Sequence, residues 1–296
     1  MWSEEAERRL RGGSPAVART VADVFERYAE LESPKKRTGV WEAKRLRFFA
    51  RDPIAKTPLE IVGPRHFAAW RDERLKTACG ETCIRDMTIM QTALGVAVKE
   101  WQWLTVNPLA GVNRPEGGEA RYRRVTAEEL ARVCHVGGYV PGQPLESFSA
   151  LTAAAFLLSC CTAMRAGEVV NLTRNNVHLD TTPWLHIPRG KTKAAKRDVP
   201  LILPGAVEVL RDVMALGEDP VFALTDGRRD ALFRKIAKRA GIDDLHFHDA
   251  CHEGISRYAT VYKDVMRLAK VVGRTDLRVL LTVYYNPTIE ELSRVE

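Results

Sequence analysis

Side chains with ligating or proton-carrying chemistry crowd into one stretch, Leu245-His246-Phe247-His248-Asp249-Ala250-Cys251-His252. His248 and His252 are spaced to share one face of a helix. His and Cys are the usual zinc ligands, so a metal site has to be weighed. Neither a Cys-x-x-Cys pair nor a His-Glu-x-x-His motif accompanies them, and a metal-dependent nuclease would lack its carboxylate set. No metal is expected. Three further groups could do chemistry: Arg165 at the end of an apolar run, Lys191 and Lys193 in a basic run, and the adjacent Tyr284 and Tyr285. Walker, dinucleotide-binding and Gly-x-Ser-x-Gly signatures are absent, which argues against ATPase, dehydrogenase and serine-hydrolase chemistry. No cofactor is expected.

The elements that must position these groups are mainly helical. Apolar residues recur at helical spacing over Val17 to Leu31, and further helices are predicted over Val40 to Ala50, Pro64 to Ala78 and Thr82 to Trp103. Asn107-Pro108 stops the last of these. Residues 1–13 read as a flexible N-terminus, 14–110 as a small helical domain, and 111–123, rich in Gly, Pro, Glu and Arg, as a linker. Residues 124–296 form a second domain. It opens on a capping box, Thr126 with Glu129. Ala150 to Met164 is apolar but too short for a membrane span, which needs about 20 residues, so it is a buried helix. Two β-like runs, Trp184 to Pro188 and Arg197 to Leu201, make a hairpin with a cationic tip. Helices follow over 205–216, 229–240, 248–260, 261–272 and 276–285. The fold class is therefore mainly α with a small β-hairpin.

Charge points to a polyanion. Lys and Arg number 45 against 38 Asp and Glu, a net +7. The excess gathers in three runs: Arg189 to Arg197, Arg228 to Arg239, and Arg121 with Arg123 and Arg124. Such clusters are the electrostatic footprint of a nucleic-acid partner. The six cysteines show no disulfide framework, and Met1-Trp2-Ser3-Glu4-Glu5 begins no apolar signal region. A cytoplasmic protein with reduced thiols and no membrane partner is the expectation.

Taken in order, Thr162-Ala163-Met164-Arg165-Ala166-Gly167-Glu168, Gly190-Lys191-Thr192-Lys193, Val199-Pro200-Leu201, His248-Asp249-Ala250-Cys251-His252 and Tyr284-Tyr285-Asn286-Pro287-Thr288 resemble the motifs of the tyrosine recombinases of phage-integrase type. The resemblance covers nearly the whole chain. Residues 14–110 are similar to that family's SAM-like core-binding domain, with Leu94 to Trp101 and Asn107-Pro108 matching its last helix. It implies that the two domains form a C-shaped clamp on double-stranded DNA. It also implies a homotetramer on two DNA sites, accessory DNA-bending proteins as further partners, and a nucleoid location in a prokaryotic or phage setting. The implied activity is site-specific cutting and rejoining through a 3′-phosphotyrosine link, without metal or nucleotide.

By the same resemblance Arg165 is the first phosphate-clamping arginine and Lys191 the general acid, with Lys193 as the alternative. His248 assists proton transfer. Tyr284 is the nucleophile, with Tyr285 as its competitor. Lys193, Lys196 and Arg197 are DNA contacts. Two positions depart from the family pattern. Cys251 stands where the second clamping arginine belongs, and a thiol is a weak, uncharged donor; loss of one oxyanion-type donor costs about 3–4 kcal/mol, roughly 10²–10³ in rate. Arg274 follows Gly273 where the family has His or Trp, and could supply the missing guanidinium from another element. The alternative is a catalytically inactive recombinase-fold DNA-binding protein. In either case affinity for duplex DNA should fall linearly with log salt, by about 0.9 per phosphate contacted. Filter-binding titrations across salt should show Lys196→Ala or Arg197→Ala flattening that slope, and a slope near zero would remove the DNA reading.

Overall fold

The computed structural model describes residues 18–118, 121–188 and 196–284. The chain divides into two compact units between Ala120 and Arg121. The first contains α1 (Val21–Leu31), α2 (Gly39–Phe49), α3 (Pro64–Leu75) and α4 (Gly80–Lys99), with 3-10 turns at Ser33–Lys35 and Pro53–Lys56. Its core gathers Val24, Phe25, Phe49, Phe67, Met87, Met90 and Leu94. α4 stops at Lys99, short of the Trp103 expected from periodicity. Gln102 takes a left-handed φ of 54°, and Trp101 and Trp103 leave the helix to pack on each other at 5.1 Å. Arg27 lies over both rings and Arg19 over Trp103, so cation–π contacts take the place of another helical turn. The stretch expected as a linker is held at both ends. Val112 is buried in the first unit, and Arg114 donates to Thr88 and Gln91 of α4. Arg121 opens the second unit.

The second unit contains α5 (Ala127–Gly137), α6 (Phe148–Thr162), α7 (Ala166–Val170), β1 (Val177–His178), β2 (Trp184–Ile187), β3 (Arg197–Pro200), α8 (Ala206–Met214), α9 (Asp226–Arg239), α10 (Phe247–Val261), α11 (Val265–Val272) and α12 (Leu277–Val279), which continues as a π turn, Leu280–Tyr284. The Thr126–Glu129 capping box forms, each side chain bonding the other's backbone N–H. β2 and β3 pair antiparallel, from Trp184 opposite Pro200 to Ile187 opposite Arg197. β1 adds a third strand that the sequence pattern did not signal. The expected cationic tip, with Lys191 and Lys193, lies outside the described residues.

α6 is the pillar of this unit. It is buried almost all round, as a helix apolar on every face must be, and is wrapped by α5, α8, α9 and α10. No helix among the described residues is long and apolar enough to cross a membrane. α6 ends at Ala163, whose φ of 53° is left-handed. There α10 crosses it so closely that a Cβ on Gly254 would lie 2.5 Å from the Ala163 nitrogen and 2.7 Å from the Ser159 carbonyl oxygen. Both obstacles are backbone, so neither can swing aside. Gly254→Ala should therefore destabilise the second unit by about 1–3 kcal/mol or more. Thermal unfolding of the full chain checks this, and an unchanged transition would show that the two helices can separate freely.

Candidate active site

One carboxylate organises the site. Arg165 is the N-cap of α7, and Glu168, three residues on, reaches back to accept from the Arg165 N–H at 2.9 Å and its guanidinium at 3.0 Å. The same carboxylate accepts from Arg197 at 2.9 and 3.2 Å. Arg197 also donates through Nε to the Val271 carbonyl at the end of α11, 2.8 Å. Its stem runs against Gly273, where a Cβ would lie 2.8 Å from the Arg197 Cδ and where φ is +67°. Glycine is required there on both counts. The Arg197 side chain is only 2% exposed. That corrects the expectation of a phosphate contact: Arg197 is a buried strut, so of the three expected contacts Lys196 is exposed, Lys193 lies outside the described residues, and the salt-slope test falls on Lys196 rather than Arg197. Burial by itself would raise the Glu168 carboxyl, but the bonds from Arg197 and the charge of Arg165 outweigh it and hold it below the usual carboxylate range.

α10 presents two chemically distinct faces. On one, Asp249 and Glu253 are buried one turn apart. Asp249 accepts from the His246 N–H at the helix start and twice from Arg121 at 2.8 Å. Glu253 accepts from Arg124 at 2.7 Å, the Val125 N–H at 3.2 Å and Arg257 at 2.8 Å. Arg123 pairs with Glu129. The Arg121-to-Arg124 cluster, read from sequence as a footprint for nucleic acid, is thus largely committed to carboxylates of its own unit. Only Arg124 stays well exposed.

On the other face lie His248, Cys251 and His252. The His248 and His252 rings meet edge to face at 4.9 Å. His252 Nδ1 and the Tyr284 hydroxyl share a hydrogen bond, with the two rings within 9° of parallel. Tyr122 sets its edge against both, 5.9 Å from His252 and 6.4 Å from Tyr284. Cys251 turns inward, its Sγ donating to the Ala163 carbonyl at 3.1 Å. Burial pushes its thiol up to about 11, so it stays neutral. Arg274 follows the left-handed Gly273. Its charge acts on His248, Cys251, His252 and Tyr284 together, and its Nε is buried with no partner among the described residues. An orphaned buried guanidinium nitrogen is costly unless an anion completes it. Arg274 also lines a cleft with His186, Lys196 and Lys270.

The fold thus brings Arg165, His248, Cys251, Arg274 and Tyr284 into one place. Lys191, Lys193 and Tyr285 lie outside the described residues. Burial, then the charges of His248 and Arg274, lower His252 to about 4. Burial raises Tyr284 to about 12 against the pull of Arg274. Burial also lowers His248. Both imidazoles are therefore neutral at pH 7. Among the described residues no three His, Cys, Asp or Glu side chains converge as metal ligands; Asp249 faces Arg121 instead. Sequence reasoning missed Glu168, the strut role of Arg197, Tyr122, and His252 as a partner of tyrosine. Only Glu168 had a signal, the three-residue capping interval after Arg165.

Glu168→Gln should leave two guanidinium groups without a counter-charge, one of them buried. Breaking such a pair costs about 3–5 kcal/mol, to be read as a lowered unfolding midpoint. Because the folded value of Glu168 is depressed, its contribution is complete above the ordinary value of 4.5 and is lost as pH falls through the folded value. The native–variant gap should therefore narrow in acid, and a gap constant with pH would refute the pairing.

The phage integrase family model matches residues 123–291. A Haemophilus influenzae (strain ATCC 51907 / DSM 11121 / KW20 / Rd) protein named as an integrase/recombinase is 33% identical over 302 residues, covering 98% of this chain and 80% of its own. A shufflon-specific DNA recombinase of Escherichia coli is 28% identical, covering 90% of this chain and 69% of its own. Among solved structures, a lambda integrase tetramer bound to a Holliday junction matches with a TM-score of 0.72 at 16% identity, over 100% of this chain and 85% of that one. With Arg165, the histidine-bearing α10 and Tyr284 gathered on this fold, the chain belongs to the phage integrase family of tyrosine recombinases.

Proposed function

We propose that this chain is a site-specific DNA recombinase that cuts and rejoins duplex DNA through a 3′-phosphotyrosine intermediate, acting as a homotetramer on two sites in the nucleoid. The observation that carries the reading is the convergence of the Tyr284 hydroxyl with Arg274 and two neutral imidazoles. Its relatives support it: one is named a shufflon-specific DNA recombinase, and the lambda integrase it resembles is a tetramer on a Holliday junction. Tyr284 attacks a backbone phosphate, and the 5′-oxygen leaves with a proton from Lys191 or Lys193. Arg165 and Arg274 take the non-bridging oxygens, where negative charge builds and planar guanidinium groups bind best. Cys251 contributes no charge. Arg274 fills its role from the turn after α11, and its unpartnered Nε is what a phosphate oxygen would satisfy.

The test is denaturing-gel capture of covalent adducts from a pool of nicked duplexes of random sequence, followed by sequencing and resynthesis of the captured duplex. Tyr284→Phe should bind it yet form no adduct. Arg274→Ala should cut adduct formation by about 10²–10³-fold, one oxyanion donor's share. Cys251→Arg should gain little and lower stability, because it adds a cation beside Arg165, Arg197 and Arg274. A native chain that makes no adduct while Cys251→Arg makes it readily would mean a recombinase disabled at one residue. If neither cuts while both bind, the chain is a binding protein.

A further inference from the structure

We propose that His252 is a further catalytic residue, which holds the Tyr284 hydroxyl at its Nδ1 and takes the proton when that oxygen attacks phosphorus. The inference rests on the recombinase reading and deepens it. The geometry is specific. His252 is buried on α10, its ring fixed from three sides by His248 at 4.9 Å, Tyr122 at 5.9 Å and Tyr284 at 6.1 Å. Of these neighbours, the one bonded to its Nδ1 is the tyrosine hydroxyl. For Nδ1 to accept, the neutral tautomer must carry its hydrogen on Nε2. His248, the residue that the family motif singles out, meets the His252 ring edge to face at 4.9 Å, while the hydroxyl is held by His252.

The atoms balance in one displacement. The Tyr284 O–H bond breaks as the new O–P bond forms, and the proton passes to Nδ1, giving an imidazolium. The P–O5′ bond breaks, and the 5′-oxygen receives a proton from Lys191 or Lys193. Religation runs the same steps backwards, with imidazolium returning the proton to the phenolic oxygen.

Charge around the imidazole explains when the step is open. His248 meets it from its own helix, Asp249 acts on it from that helix's other face, Arg274 from the turn after α11, Arg121 and Tyr122 from the segment entering the unit, and Tyr284 from the last turn. Burial, His248, Arg274 and Arg121 oppose a charge on His252, and Asp249 alone favours it. Without DNA the imidazole stays neutral and only holds the hydroxyl. A phosphate seated on Arg165 and Arg274 brings negative charge beside it, offsets the largest arginine contribution, and makes the imidazolium accessible. Proton transfer is thereby tied to an occupied site.

The test uses the full chain and the duplex recovered by adduct capture. His252→Gln keeps an oxygen acceptor for the tyrosine hydroxyl but cannot take its proton. Single-turnover adduct formation should fall by about 10²–10⁴-fold, and the acid limb of the pH–rate profile should vanish. A duplex with sulfur at the scissile 5′-bridging position releases a thiolate that needs no proton. It should rescue the Lys191→Ala or Lys193→Ala defect and leave His252→Gln slow. Independently, ¹⁵N spectra of histidine-labelled native chain should show His252 Nδ1 as an acceptor, a signature lost in Tyr284→Phe. His252→Gln cutting within threefold of native with the same pH profile, or an Nδ1 indifferent to Tyr284→Phe, overturns the inference alone. Absence of any adduct from the native chain overturns the recombinase reading and the inference with it.

Discussion

A buried carboxylate flanked by two arginines sets the geometry of the second unit's candidate site. Glu168 ties together three segments remote in sequence: the start of α7, the first residue of β3, and, through Arg197, the end of α11. Each carries something the site needs. α7 begins on Arg165, β3 follows the lysine-bearing connection, and α11 leads through Gly273 into Arg274. A single anion between two guanidinium groups is strongly held because both partners are fixed by other bonds. Arg197 is anchored on the Val271 carbonyl and Arg165 by its N-cap position. With one carboxylate between two guanidinium groups, the charge left over is positive.

Apart from Glu168, the site is built from arginines and imidazoles among the described residues. Arg165, Arg274, His248 and His252 lie close together, and the protein copes by keeping both imidazoles neutral and leaving a guanidinium nitrogen unpaired. Asp249 and Glu253, on the same helix, are turned to the opposite face and consumed by Arg121, Arg124 and Arg257. Helical periodicity does this sorting: positions 248, 251 and 252 share one face, and 249 and 253 share the next. Had the acids faced the tyrosine, they would have neutralised the arginine and histidine field around it.

Local elements were legible because their causes are local. The apolar run of α6, the Thr126 capping box and the paired strands Trp184–Ile187 and Arg197–Pro200 all follow from neighbouring residues. The motif residues Arg165, His248 and Tyr284 could be picked out by order and type. The sequence did not reveal what each charge was for. A basic run reads alike whether it meets DNA or carboxylates, so spacing could not show that Arg197 is buried against Glu168 or that Arg121 is tied to Asp244 and Asp249. β1 is too short to show a period, and the helical pattern through Trp103 hid a left-handed Gln102. His252 and Tyr122 matter only through where Tyr284 ends up, a relation between segments that spacing does not encode.

The clasp formed by Arg121, Tyr122 and Arg124 also says where this unit can be excised. By secondary structure the natural place to start a fragment is Val125, just before the capped α5, and everything helical would be retained. Such a fragment would lack the guanidinium that closes the N-terminus of α10 on Asp249, one of the two that balance Glu253, and the aromatic edge against Tyr284. It would keep the fold's outline while the floor beneath its histidines was undone. The structural boundary of the second unit thus lies at Arg121, inside a stretch that composition alone assigns to a tether.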